Sequence, residues 1–184
     1  MLFEFKSWFS GKLLFAIEAD TQKAALELGI LREADLRGAD LREAHLREAD
    51  LREADLQGAD LREADLTPIR DDLWAVLSAA PAEVEGLRRA LLEGRINGAV
   101  YEGPCACLVG TLANVRGCKF TDLPLLQPSS GRPAERWFLL FKPGDTPATS
   151  APARITLEWL DTWLGNMRAA FGTPSPVVHE ETTP

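Results

Sequence analysis

The sequence predicts a mixed α+β protein in three parts: a segment that turns a corner every five residues, a hairpin and helix before it, and a mainly helical region after it. Three observations carry this. One five-residue phrase runs seven times through residues 31–65, as LREAD, LRGAD, LREAH, LREAD, LREAD, LQGAD and LREAD. Two short apolar runs, residues 2–6 and 13–17, flank a Ser10-Gly11 turn signal. After Thr67-Pro68 the composition changes and apolar residues return at helical spacing.

The repeat decides the centre of the fold, because a fixed period marks one small unit copied until neighbours bury a shared core. Leu31, Leu36, Leu41, Leu46, Leu51, Leu56, Leu61 and Leu66 hold one phase, and an Ala stands two residues before each next Leu. A helix suits the composition, and Glu33 with Arg37, or Glu43 with Arg47, would make favourable pairs. Yet at about 100° per residue a step of five scatters the leucines around the helix instead of lining them up. A plain strand fails as well, since a period of five changes face at every repeat. A chain that turns every five residues, with Leu and Ala inward and the other three positions outward, satisfies the pattern.

These residues resemble the pentapeptide-repeat family, whose pattern is A, D or N, L, x, x. The resemblance implies a short right-handed four-sided β-helix with about twenty residues per coil, here about two coils and roughly 10 Å long. Gly38 and Gly58 are twenty residues apart, as such stacking requires, and His45 would lie beneath Asp65 as a surface pair. So short a solenoid needs covered ends. The expected division is therefore an N-terminal hairpin and helix cap at 1–30, the β-helix at 31–66, a C-terminal α-rich domain at 67–171 and a disordered tail at 172–184.

In the cap, Thr21 is placed to start a helix that Gly29 ends, and Phe3, Phe5, Trp8 and Phe15 should be its buried face. Beyond the repeats, Asp71 and Asp72 are expected to begin one helix, and Pro81 to open a second that Gly94 ends. Asn97-Gly98 gives a turn, and PCACLVGTLANVRG is either a buried helix or a tight loop. AERWFLLFK has the look of a buried strand. ITLEWLDTWLGNM is a helix with Ile155, Trp159, Leu160, Trp163 and Met167 roughly on one face. This half is similar to a region that follows short pentapeptide repeats in phage and prophage proteins, through IRDDLWAVLSAAPAEVEGLRRAL, YEGPCACLVGTLANV and RPAERWFLLFKPGDTP. That resemblance implies a setting and no activity.

The net charge is −8, and residues 31–66 supply −5 of it, with six Arg against eleven Asp and Glu. Such a balance disfavours direct contact with nucleic acid or anionic membrane and favours a basic protein partner. No stretch has the length and apolarity of a membrane span or a signal peptide, so the expected location is the cytoplasm. Cys105, Cys107 and Cys118 are an odd set, expected reduced. They fall short of the four ligands of a closed zinc site, and no His stands near them in sequence to act as a base. Neither a phosphate-binding loop nor an HExxH motif is present. The expectation is a protein without catalytic residues, metal or cofactor.

Three function classes remain. The favoured one is an inhibitor that presents a nucleic-acid-mimicking acidic surface to a nucleic-acid-binding host protein. It follows family members that block gyrase by imitating duplex DNA, and phage inhibitors of host defence such as anti-CRISPR proteins. The residues expected to carry the contact are Asp35, Asp40, Glu43, Asp50, Glu53, Asp55, Asp60, Glu63 and Asp65, and a homodimer aligning two repeat segments would lengthen the surface. The alternative is a scaffolding module acting through the C-terminal domain. The third is a cysteine-dependent or metal enzyme.

Overall fold

The computed structural model describes residues 1–31, 34–37, 39–41, 44, 59, 61, 64–123, 125–129 and 131–172. Strands β1 (Leu2–Lys6) and β2 (Leu13–Glu18) form an antiparallel hairpin, with a register shift between Phe5 and Lys6. Helix α1 (Gln22–Leu31) comes next, its first turn closed by the Thr21 hydroxyl, which accepts the Ala24 N–H at 3.1 Å. Gly29 does not stop this helix. Its missing side chain makes room for the Phe15 ring, whose Cε2 would lie 2.6 Å from an added Cβ. Phe15 in turn stacks on buried Phe5 at 4.4 Å, while Trp8, expected inside, is half exposed.

The short β-helix expected over residues 31–66 is not what the described chain builds. Among the described residues the only strands are the two of the hairpin, and helix dominates the chain beyond Leu66. In three described repeats the Ala N–H turns back onto the Leu carbonyl three residues earlier: Ala39 to Leu36, Ala44 to Leu41 and Ala64 to Leu61. Each such bond closes a turn, and none of the described residues of 34–66 belongs to a strand. The segment leans on its neighbours instead. Asp40 N–H donates to the Lys6 carbonyl at 2.8 Å, with Ser7 and Ala39 bridged, and the Leu66 carbonyl receives the first helical bond of α2.

Helix α2 (Thr67–Ala79) begins four residues before Asp71, because Pro68 sits in its first turn, where no N–H is needed. A 3₁₀ turn at Pro81–Glu83 leads into α3 (Val84–Leu92), ended by Gly94 at φ +65°. The small apolar segment is a helix, α4 (Leu108–Arg116), buried along most of its length and closed by Gly117 at φ +74°. AERWFLLFK is not a strand: α5 (Pro133–Phe138) takes its first half. Asp72, on α2, accepts the Ala134 N–H at 2.9 Å and so caps α5 from a distance. Helical turning lets Trp137, Phe138, Leu140 and Phe141 all be buried while Leu139 faces out, which strict alternation would forbid. Helix α6 (Ala151–Phe171) lays Thr156, Leu160 and Trp163 into the core and leaves Ile155 and Trp159 half-buried at its edge.

Among the described residues the core is one cluster, running from Phe5 through Leu36, Leu41 and Leu61 to Leu73, Trp137 and Leu160. Tryptophan N–H groups are spent on cross-links within it. Trp137 Nε1 donates to Thr156 Oγ1 at 2.8 Å, and Trp74 Nε1 donates to the Trp159 carbonyl at 3.2 Å. Among the described residues no helix is long and apolar enough to cross a membrane.

Candidate functional site

The repeat segment shows how the five-residue phrase divides its side chains. Leu36, Ala39, Leu41, Ala44, Ala59, Leu61 and Leu66 are buried, whereas Asp35 and Arg37 are exposed. In the described repeats the apolar positions are thus inward, and Asp35 and Arg37 meet solvent. Asp35 is held by Arg37 two residues on: its Oδ1 accepts the Arg37 backbone N–H at 3.0 Å and Nε at 2.9 Å, and its Oδ2 accepts Nη2 at 2.6 Å. The guanidinium bonds, followed by the backbone bond, bring the carboxyl down to about 2.

Asp40 and Asp65 are half-buried. Asp40 is fixed to the hairpin through its backbone. The Asp65 N–H donates to the Ala44 carbonyl at 3.0 Å, and its Oδ1 accepts the Thr67 N–H at 3.4 Å, at the start of α2. Negative charge is well placed there, since the first N–H groups of a helix lack internal acceptors. Asp35 is thus tied within its own repeat, Asp40 to the hairpin, and Asp65 to an earlier repeat and the start of α2. Glu43, Asp50, Glu53, Asp55, Asp60 and Glu63 lie outside the described residues, as do Gly38, His45 and Gly58.

Where the repeats run into α2, a groove of about 450 Å³ opens between Leu61, Ala64, Leu66 and Thr67 on one side and Ile155, Glu158 and Trp159 on the other, with Arg70 and Arg154 in its lining. Arg70 lies over the Trp74 ring at 5.0 Å and pairs with Asp71 at 2.8 Å. Sequence reasoning missed this groove. Its signal was there: Arg154 and Glu158, like Ile155 and Trp159, stand four apart on α6, beside the core-facing stripe.

The ionisable groups of the helical region serve as cross-links. Glu83, 6% exposed, accepts Arg116 Nε at 2.7 Å, and that bond outweighs burial and lowers its pKa. Glu135 is equally covered; burial raises its pKa, although it accepts the Ser129 N–H at 3.0 Å and lies 3.4 Å from the Tyr101 hydroxyl. Burial also pushes the Cys107 thiol up, away from the thiolate a nucleophile requires. Cys105 and Cys118 are half-buried, and all three cysteines are free. Among the described residues no three His, Cys, Asp or Glu side chains converge in a metal-binding group.

Comparison with known proteins identifies one part of the chain. Residues 30–67 match the family model for pentapeptide repeats, in eight copies. The match covers 38 of 184 residues and suggests a protein-interaction fold. No curated protein and no solved structure matches the chain.

Proposed function

We propose that this chain, with pentapeptide repeats at residues 30–67, is a non-enzymatic interaction module that offers the acidic face of its repeats to a basic protein. One observation carries the reading. Among the described residues the repeats turn Leu36, Ala39, Leu41, Ala44, Ala59, Leu61 and Leu66 into the core and leave Asp35 and Arg37 exposed, in a segment whose sequence holds eleven acids and six arginines. Charge kept at that density on a repeating element attracts a basic surface at distances up to the Debye length, about 8 Å at physiological salt.

The sharper form is inhibition of a nucleic-acid-binding host protein by imitation of its ligand, in a phage setting and in the cytoplasm, as a gyrase inhibitor or an anti-CRISPR protein would act. The acidic balance of the repeats supports it. The Asp35–Arg37 pair works against it, since a neutralised carboxylate adds little to a negative field.

The test is capture of host proteins by the immobilised full chain at low and high salt, with competition by duplex DNA. Basic proteins retained at low salt, released by salt and displaced by DNA support the sharper reading. Capture indifferent to salt would remove the acidic face from the account and favour scaffolding through the helical region.

A further inference from the structure

The groove between the end of the repeats and α6 sets an exposed guanidinium beside apolar surface. Among the described residues its lining holds two guanidiniums, Arg70 and Arg154, and one carboxylate, Glu158, in a chain whose net charge is −8. The two arginines are not equivalent. Arg70 is committed, stacked over Trp74 and paired with Asp71. Arg154 is exposed and makes no ion pair or side-chain hydrogen bond among the described residues. It stands on α6 beside an apolar floor of Ile155 and Trp159, facing Leu61 and Leu66. The floor is braced, because the Trp159 carbonyl accepts the Trp74 indole N–H from the neighbouring helix.

We propose that this groove is a second binding site, for an acidic peptide segment of a protein partner: an apolar or aromatic side chain on Trp159 and Ile155, with an adjacent carboxylate paired to Arg154. Charge complementarity selects the anion, since an unpaired guanidinium offers a two-pronged donor that fits a carboxylate. The volume lies within the range of about 300–1,000 Å³ for ligand pockets. A small molecule in such a pocket is largely enclosed, whereas this groove is open along the surface, and that favours a segment of chain. The proposal shares with the preceding reading only the premise that the ligand is a protein; it rests on other residues and on the opposite charge.

The experiment titrates the full-length protein with the peptide acetyl-DEFLED-amide, its neutral counterpart acetyl-NQFLQN-amide, its basic counterpart acetyl-KKFLKK-amide, and free phenylacetate. Binding is read from the NMR shifts of the Trp159 indole and the arginine Nε–H groups. The acidic peptide should bind best and shift Trp159 and Arg154. Arg154→Glu should weaken it by about tenfold or more, as expected for loss of a charge-assisted bond, and Glu158→Gln should strengthen it. Neither variant touches the core, so unchanged spectra elsewhere separate lost binding from lost folding. Equal binding of the basic peptide, an unaltered affinity in Arg154→Glu, or no shift at millimolar peptide would overturn the site. Phenylacetate binding as tightly as the peptide would overturn the peptide assignment. Neutralising the repeat acids should leave this affinity in place, so this proposal and the acidic-face reading can fail separately.

Discussion

In the repeats, Asp35 meets Arg37 two residues away, with both side chains more than half exposed. In the helical region, Glu83 meets Arg116 across 33 residues, with the carboxylate almost fully covered. The same pair of ions does different work in the two places. Solvent screens the first, so it contributes little to stability and can be exchanged without unfolding the chain. The second is needed because burial has already cost the carboxylate its water. The Asp35–Arg37 pair therefore stays at the surface of the repeats, and the Glu83–Arg116 pair fastens two elements of the helical region together.

The core tests this contrast with the largest effects, since both regions share one apolar cluster. Trp137→Ala should cost about 3–5 kcal/mol and Leu41→Ala about 2–5 kcal/mol, each in a single cooperative urea transition. If Leu41→Ala melts the repeats while the helical region keeps its original midpoint, the molecule has two cores and the comparison must be redrawn.

Next come the buried carboxylates, whose pH responses should have opposite sign. The folded pKa of Glu83 is lowered, chiefly by Arg116, so the stability it contributes is present above its unfolded value of 4.5 and is lost as pH falls through the lower folded value. Arg116→Ala should therefore destabilise more than Glu83→Gln at pH 7, with the gap closing in acid. A urea midpoint series from pH 3 to 7 reads this directly. The folded pKa of Glu135 is raised by burial, so its contribution is present below 4.5 and is lost as pH rises through the folded value. Glu135→Gln should abolish that decline. An unchanged pH profile would mean that the covered carboxylate is not what titrates.

The smallest effect belongs to the surface pair. Asp35→Asn should change stability by no more than about 0.5 kcal/mol, and carboxyl NMR should find the parent Asp35 titrating below the usual carboxylate range. A loss of several kcal/mol would place Asp35 among the structural ions.

Much of the division of labour was legible in the sequence. The inward Leu and Ala, the hairpin, the Thr21 cap and the long amphipathic α6 all come from local period and composition. What was not legible depended on distant neighbours. Gly29 reads as a helix stop until the Phe15 ring is seen to need its space. Asp72 reads as a helix start, yet it caps α5 from 62 residues away. AERWFLLFK reads as a strand because a short apolar run cannot declare its period, and Pro133 with that remote cap decides for helix. The four-sided β-helix came from resemblance, and the described turns and the segment's contacts with hairpin and α2 do not build it. For the candidate surface, sequence could say that the charged positions face outward, but not that Arg37 neutralises Asp35. Nor could it show that the repeats end beside Arg154 and Trp159.

If the repeat acids are dispensable for folding and required for recognition, one variant should separate the two roles. It carries Asp40→Asn, Glu43→Gln, Asp60→Asn and Glu63→Gln, and is compared with the parent for urea midpoint and for salt-sensitive capture of basic proteins. The midpoint should stay nearly unchanged while that capture is lost. An unfolded variant, or one that folds and still captures the same proteins with the same salt dependence, would show that the repeat acids do not have these roles.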